Sequence, residues 1–262
     1  MVHYRNKQSL KKEFVYTYID CFRNRKCKKN AFSIRKILIS LAKFKKKLFL
    51  CIVISELDIL HPLGNIPVST DVLKSLLRDY SNPNAKIALW MKQGYLIPLK
   101  RGLYIVSPQL TQTMPCIGLI ANHLYSPSYV SLQFALREYG LIPEYVRIVT
   151  NITTCHARKF ENELGIFSYH SVNREYFALG ITSHTEDNSS YLIATPEKAL
   201  VDIILFTPQV PVSLIGLEHF LAEDLRFDMD ALQQMKIPLL QACAEIAPKR
   251  NIIQNLIKIC QR

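Results

Sequence analysis

Between residues 66 and 80, the apolar positions Val72, Leu73, Leu76 and Leu77 recur at helical spacing behind Ser69 and Thr70, either of which can cap a helix. A second helical pattern follows, with Ser81 or Asn82 as its cap, Pro83 at its first position and Gly94 placed to end it. In that helix Ile87, Trp90 and Met91 have core spacing, which leaves Asn84, Lys86, Leu89, Lys92 and Gln93 nearer the outside. After Gly94 the period changes to two short β runs, Leu96 to Leu99 and Leu103 to Val106. Lys100-Arg101-Gly102 joins them in a tight hairpin with two cations at its tip. Helix, short turn, helix and basic-tipped hairpin is the order of a winged helix-turn-helix, in which the second helix enters the major groove and the wing lies along phosphates.

Beyond Ile117 two further helices are predicted, the second starting near Ser128 and stopped by Gly140. Val146 to Thr154 reads as a strand, and Phe160 to Val172 as a hairpin turning near Glu163 to Gly165. Ile193-Ala194 ends a strand that leads into a helix capped by Thr195 with Pro196 at its first position. Segments at about 213–223, 228–235 and 238–260 read as helical. The predicted fold class is therefore α+β: an N-terminal winged helix-turn-helix, then a mixed α/β C-terminal domain ending in helices. The domains divide as a basic extension at 1–50, the winged helix at 51–110 and the C-terminal domain at 111–262.

Charge sharpens this division. Residues 1–110 carry 21 Lys or Arg against 6 Asp or Glu, whereas residues 111–262 carry 12 against 15. The overall formal charge of +12 points to polyanionic partners. Most of the excess lies in residues 1–47, a density of like charge that favours a solvated or partly disordered arm. The arm matches neither the middle nor the end of the chain, and a start codon placed upstream of the true one would add such an extension. The apolar run Leu48 to Ile54 is far shorter than the roughly 18 to 20 residues of a spanning helix and is closed by Glu56 and Asp58, so it reads as a short buried helix and no membrane partner is expected. Seven cysteines without a CxxC pair fit a reducing cytoplasm.

Motifs for catalysis are sparse. There is no Walker loop, GxGxxG turn, GxSxG elbow, HxxxH or HExxH, so neither a cofactor nor a metal is expected and the chain does not read as an enzyme. Asp228-x-Asp230 lacks the Gly-Ser turn of a nucleotidyltransferase and reads as a helix cap with an acidic first turn. Lys198 and Asp202 read as an i,i+4 helix pair, with Glu197 suited to the helix N-terminus. The candidate DNA-binding residues are Lys74, Asn84, Lys86, Lys92, Gln93, Lys100 and Arg101. Their lysines and arginine suit phosphates, and no single side chain is assigned to a base edge.

The segments KQGYLIPLKRGLYIV, SPSYVSLQFALREYGLIPE and IATPEKALVDII, in that order, resemble the AbiEi family of antitoxins from abortive-infection and toxin-antitoxin loci, over roughly residues 62–235. The resemblance implies an N-terminal DNA-binding domain that represses its own promoter and a C-terminal domain that counteracts a nucleotidyltransferase toxin without needing to touch it. By position the wing is Tyr95 to Val106 and the recognition helix Asn84 to Gln93. Binding of double-stranded DNA by two or more copies on an inverted repeat is expected. Two rivals stand beside this reading: a protein-binding neutraliser whose winged helix is a docking module, and RNA or ribosome association through the basic arm.

Overall fold

The computed structural model describes residues 58–187 and 189–262; the basic arm at 1–50 and the apolar helix expected at 48–54 lie outside the described residues. Ile59–Arg262 is one compact α+β unit, and the expected boundary between 110 and 111 falls inside it.

The unit begins with β1 (Val68–Ser69), α1 (Thr70–Leu76), α2 (Pro83–Lys92) and the hairpin β2 (Leu96–Lys100) and β3 (Leu103–Val106). Ser69 is the cap of α1, its Oγ accepting from the Val72 N–H at 3.3 Å. Asn82 caps α2, with Oδ1 accepting from Ala85 N–H at 3.1 Å, and Pro83 occupies the first turn, where a missing N–H leaves no bond unmade. Just beyond α2, Gly94 has φ 74°, the left-handed conformation that only glycine adopts without strain.

The strands pair in the order β1-β3-β2. Leu60, Val68, Leu73, Leu77, Ile87, Trp90, Leu96 and Val106 form a small core under the two helices. Ile87 and Trp90 are buried as their spacing predicts, whereas Val72 and Leu76 are each 43% exposed. With only seven residues, α1 turns just a narrow stripe, Leu73 and the following Leu77, onto that core.

The hairpin serves two cores. Val106 and Leu96 belong to the small one, while Leu99, Leu103 and Ile105 join the large core of the remaining chain. This accounts for the unbroken apolar run Leu103-Tyr-Ile-Val106, since a strand covered on both faces need not alternate.

After α3 (Pro108–Thr111) and α4 (Ile117–Leu124) comes a six-stranded mixed sheet. Its strands are β4 (Ser128–Val130), β5 (Ile148–Thr153), β6 (Arg158–Asn162), β7 (Gly165–Ser171), β8 (Ile181–Glu186) and β9 (Ser189–Ala194), in the order β6-β7-β5-β4-β9-β8. β5 and the β6–β7 hairpin agree with the sequence reading. Ser128, in contrast, does not open a helix: Ser128–Val130 is the fully buried strand β4, inserted between antiparallel β5 and parallel β9, and α5 (Leu132–Glu138) starts after it.

The rest is α6 (Arg174–Phe177), α7 (Pro196–Phe206), α8 (Leu214–His219) running into a π turn, a 3-10 turn at Met229–Gln234, α9 (Ile237–Ile246) and α10 (Arg250–Cys260). The helical stretch expected at 238–260 is thus two helices. Pro248 separates them, because a proline cannot continue the ladder of α9. In the same turn, Lys249 Nζ donates to the carbonyls of Ile204 and Thr207 at 2.8 and 2.6 Å, satisfying the open end of α7. α4 covers one face of the sheet, where the Tyr169 hydroxyl donates to Ala121 O at 2.6 Å, and α7 covers the other, where Tyr129 reaches Asp202. Among the described residues no helix is long and apolar enough to cross a membrane.

Candidate nucleic-acid interface

Lys74 on α1, Asn84 and Lys92 on α2, Gln93 just after it and Arg101 at the hairpin tip are exposed. The other two predicted residues are half-buried. The Lys86 ammonium stands over the rings of Trp90 and Tyr80, 5.3 and 5.8 Å from their centroids, a cation–π arrangement that orients it on the flank of α2.

Lys100 differs more from the sequence reading, which set it beside Arg101 as a free wing cation. Its Nζ donates to Leu124 O at 2.6 Å, at the C-terminal end of α4 where unpaired carbonyls gather partial negative charge. Burial lowers the pKa of this lysine, and the neighbouring Arg158 guanidinium lowers it further. Proximity to the α4 terminus is set by tertiary packing and left no mark in the local sequence.

The outer surface of α2 is built by helical periodicity. With Ile87 and Trp90 turned inward, the helix leaves Asn84, Ala85, Ala88, Leu89 and Lys92 exposed, Leu89 by 44%. Residues 64–110 carry six cations and two anions, so this surface has a net positive field.

The hairpin cannot swing freely. Leu99, Leu103 and Ile105 are packed into the large core, Asn162 Nδ2 donates to Leu99 O at 3.2 Å, and Gly102 O accepts from Thr70 N–H at 2.9 Å. The last bond ties the hairpin tip to the start of α1. Arg158 on β6 holds its guanidinium 4.9 Å from the Phe160 ring centroid and 5.9 Å from that of Tyr125.

A second polar constellation lies in the interior of the sheet–α7 layer. The Lys198–Asp202 pair is fully buried, with Nζ and Oδ1 2.6 Å apart. Asp202 also accepts from the Tyr176 and Ser131 hydroxyls, each at 2.6 Å, and from Tyr129 at 3.3 Å. The ammonium lies 3.2 Å from the Tyr176 ring centroid. Gly180 makes room for the lysine, since a Cβ there would come within 2.8 Å of Lys198 Cβ. Desolvation lowers the Lys198 pKa while the Asp202 charge opposes it, and burial raises the Tyr129 and Tyr176 hydroxyls above the ordinary phenol range.

The i,i+4 spacing of this pair is legible in the sequence, whereas spacing alone does not mark its burial. One signal was present: Ala199, Leu200, Val201, Ile203 and Ile204 make α7 apolar around its circumference, and such a helix is buried, so charges within it must pair. Glu197 is also buried and accepts from the Lys236 N–H at 3.0 Å, joining α7 to α9. Asp228 behaves as its sequence suggests, with Oδ1 accepting from Asp230 N–H at 3.2 Å to cap a 3-10 turn. No known protein family and no curated protein matches the chain.

Proposed function

We propose that residues 59–106 act as a winged helix-turn-helix on double-stranded DNA, and that the chain is an autoregulator and antitoxin of a toxin-antitoxin operon. It works in the cytoplasm on its own promoter and counteracts a nucleotidyltransferase toxin without requiring direct contact. The observation that carries the DNA half is the exposed outer face of α2, followed in the chain by a hairpin whose tip bears exposed Arg101, within a segment of net positive charge. Phosphate contacts fall to Lys74, Lys92 and Arg101, with Lys86 on the flank. Two or more copies on an inverted repeat extend the short site that one such module covers.

The antitoxin half rests on the three-motif resemblance to the AbiEi family. Two of those motifs meet in the interior: SPSYVSLQF supplies β4 and Ser131, IATPEKALVDII supplies α7 and Asp202, and Ser131 Oγ donates to Asp202 at 2.6 Å. A second reading, protein docking through the same module, is favoured by the exposed Val72, Leu76 and Leu89. Anisotropy titration of the full chain against its own upstream DNA and scrambled DNA, at two salt concentrations, tests the proposal. Preference for the upstream DNA is expected. Equal affinity for both DNAs, together with a stoichiometric toxin complex that survives high salt, would favour docking.

A further inference from the structure

We propose that the cavity between the start of α7 and the 3-10 turn binds an organic cation, an ammonium or guanidinium head on a short aliphatic stem, with the Glu197 carboxylate as its counter-ion. The cavity holds about 240 Å³ and is lined by Tyr139, Leu141, Pro196, Glu197, Gln234 and Met235. That is less than the roughly 300–1,000 Å³ of a drug-sized pocket, so it suits a head group and a few methylenes rather than a whole metabolite.

The decisive group is Glu197. It is only 5% exposed, yet one carboxylate oxygen alone is engaged, Oε1 accepting from the Lys236 N–H at 3.0 Å. The second oxygen has no donor among the described residues and is not sealed from solvent, so it opens into the cavity that the residue lines. No described lysine or arginine forms an ion pair with it, and the adjacent Lys198 is spent on Asp202. A carboxylate so far withdrawn from water costs free energy unless it is paired. The positive end of α7 offsets part of that cost and leaves the acceptor unfilled.

The remaining polar lining has the same sense. Tyr139 donates its hydroxyl hydrogen to Ala194 O at 2.9 Å, which leaves only acceptor capacity on that oxygen. Its pKa is pushed up to about 12 by burial and by the Glu197 charge, so the phenol keeps this proton. Two groups that can only accept select a ligand that only donates, as ammonium and guanidinium groups do. Leu141, Pro196 and Met235 give apolar walls for an aliphatic stem. The site is also held open in advance: Asp228 N–H donates to Leu141 O at 2.9 Å, and the Lys236 bond to Glu197 fixes the other end of the 3-10 turn.

The test titrates the full-length protein, carrying methyl-labelled methionine, with butylammonium, butylguanidinium and neutral pentanol, and follows the methyl signals by NMR. Met235 reports from the cavity wall, and Met114, 80% exposed, is the reference. A saturable Met235 shift with a Kd on the order of 1 mM is expected for at least one cation, and none for pentanol. Glu197→Gln keeps the oxygen that accepts from Lys236 and should weaken cation binding about tenfold or more. Ala231→Leu leaves the carboxylate in place, fills the cavity and should abolish binding. Matching thermal melts will show that both variants fold, and the comparison of cations with pentanol needs neither. Nα-acetylated lysine and arginine amides then separate the two sources of such a head group: binding assigns a peptide side chain, exclusion a free amine.

No saturable Met235 shift with either cation, an equal response to pentanol, or undiminished binding by Glu197→Gln overturns the proposal. None of these outcomes bears on the DNA-binding reading, which involves other residues.

Discussion

Removing the charge of Asp202 should be more damaging than removing that of Lys198, although the two form one ion pair. With Lys198→Met the carboxylate loses its cation but keeps three hydroxyl donors, from Tyr176, Ser131 and Tyr129. Hydrogen bonds of that kind stabilise a buried anion, so the loss approximates one charge-assisted bond, about 2 kcal/mol. With Asp202→Asn the ammonium stays in a fully buried site with ring faces for company and no anion. Breaking a buried pair in that way costs about 3–5 kcal/mol, a large part of a domain's stability. Because each single change also breaks the pair, the double variant should cost at least about 1.5 kcal/mol less than the sum.

Urea unfolding followed by circular dichroism measures all three. Asp202→Asn carries a second signature in pH. The unfolded chain holds the lysine proton up to its ordinary pKa of 10.5, whereas burial lowers the folded value. Where the unfolded state binds more protons, stability rises with pH, so this variant should gain stability as the pH is raised towards 10.5, by at most about 1.4 kcal/mol per pH unit. Additive single effects, or a Lys198→Met variant less stable than Asp202→Asn, would refute the reasoning.

Three further outcomes are expected. Lys100→Met should lower stability by about 1 kcal/mol through loss of the bond to Leu124 O and leave the salt dependence of DNA binding unchanged, while Arg101→Ala should reduce the salt slope by about one without altering the urea midpoint; the reverse pattern would return Lys100 to the phosphates. A fragment ending at Leu110 exposes Leu99, Leu103 and Ile105, worth about 1.5–3 kcal/mol each, so it should show no cooperative thermal transition. Burial pushes the Cys116, Cys243 and Cys260 thiols up to about 11 and Tyr139 to about 12. Above pH 9 the unfolded chain therefore binds fewer protons than the folded one, and the urea midpoint should fall steadily from pH 9 to 11, by up to about 1.4 kcal/mol per pH unit per thiol.

What the chain order alone determined is mostly local. The helix starts at Ser69 or Thr70, at Ser81 or Asn82 and at Thr195, the first-turn prolines, the stop at Gly94 and the β6–β7 hairpin depend on residues within a few positions of one another, and nearest-neighbour chemistry decides them. The inward face of α2 was also legible, because Ile87 and Trp90 share a helical stripe. Tertiary structure decided the rest. Ser128–Val130 is a strand because β5 and β9 offer it backbone partners on both sides, and three residues are too few to declare a period. The β8 strand Ile181-Thr-Ser-His-Thr-Glu186 lies at the sheet edge, half wetted, and its polar sequence shows no apolar alternation. Lys100 could be seen as a cation on a turn, but the carbonyl that holds it belongs to a residue 24 positions later in the chain. Lys198 and Asp202 announced a pair by spacing. Whether such a pair rests in water or closes a buried network depends on the 129–131 strand end and on Tyr176, which only folding brings to it, and on a desolvation energy that no local pattern encodes.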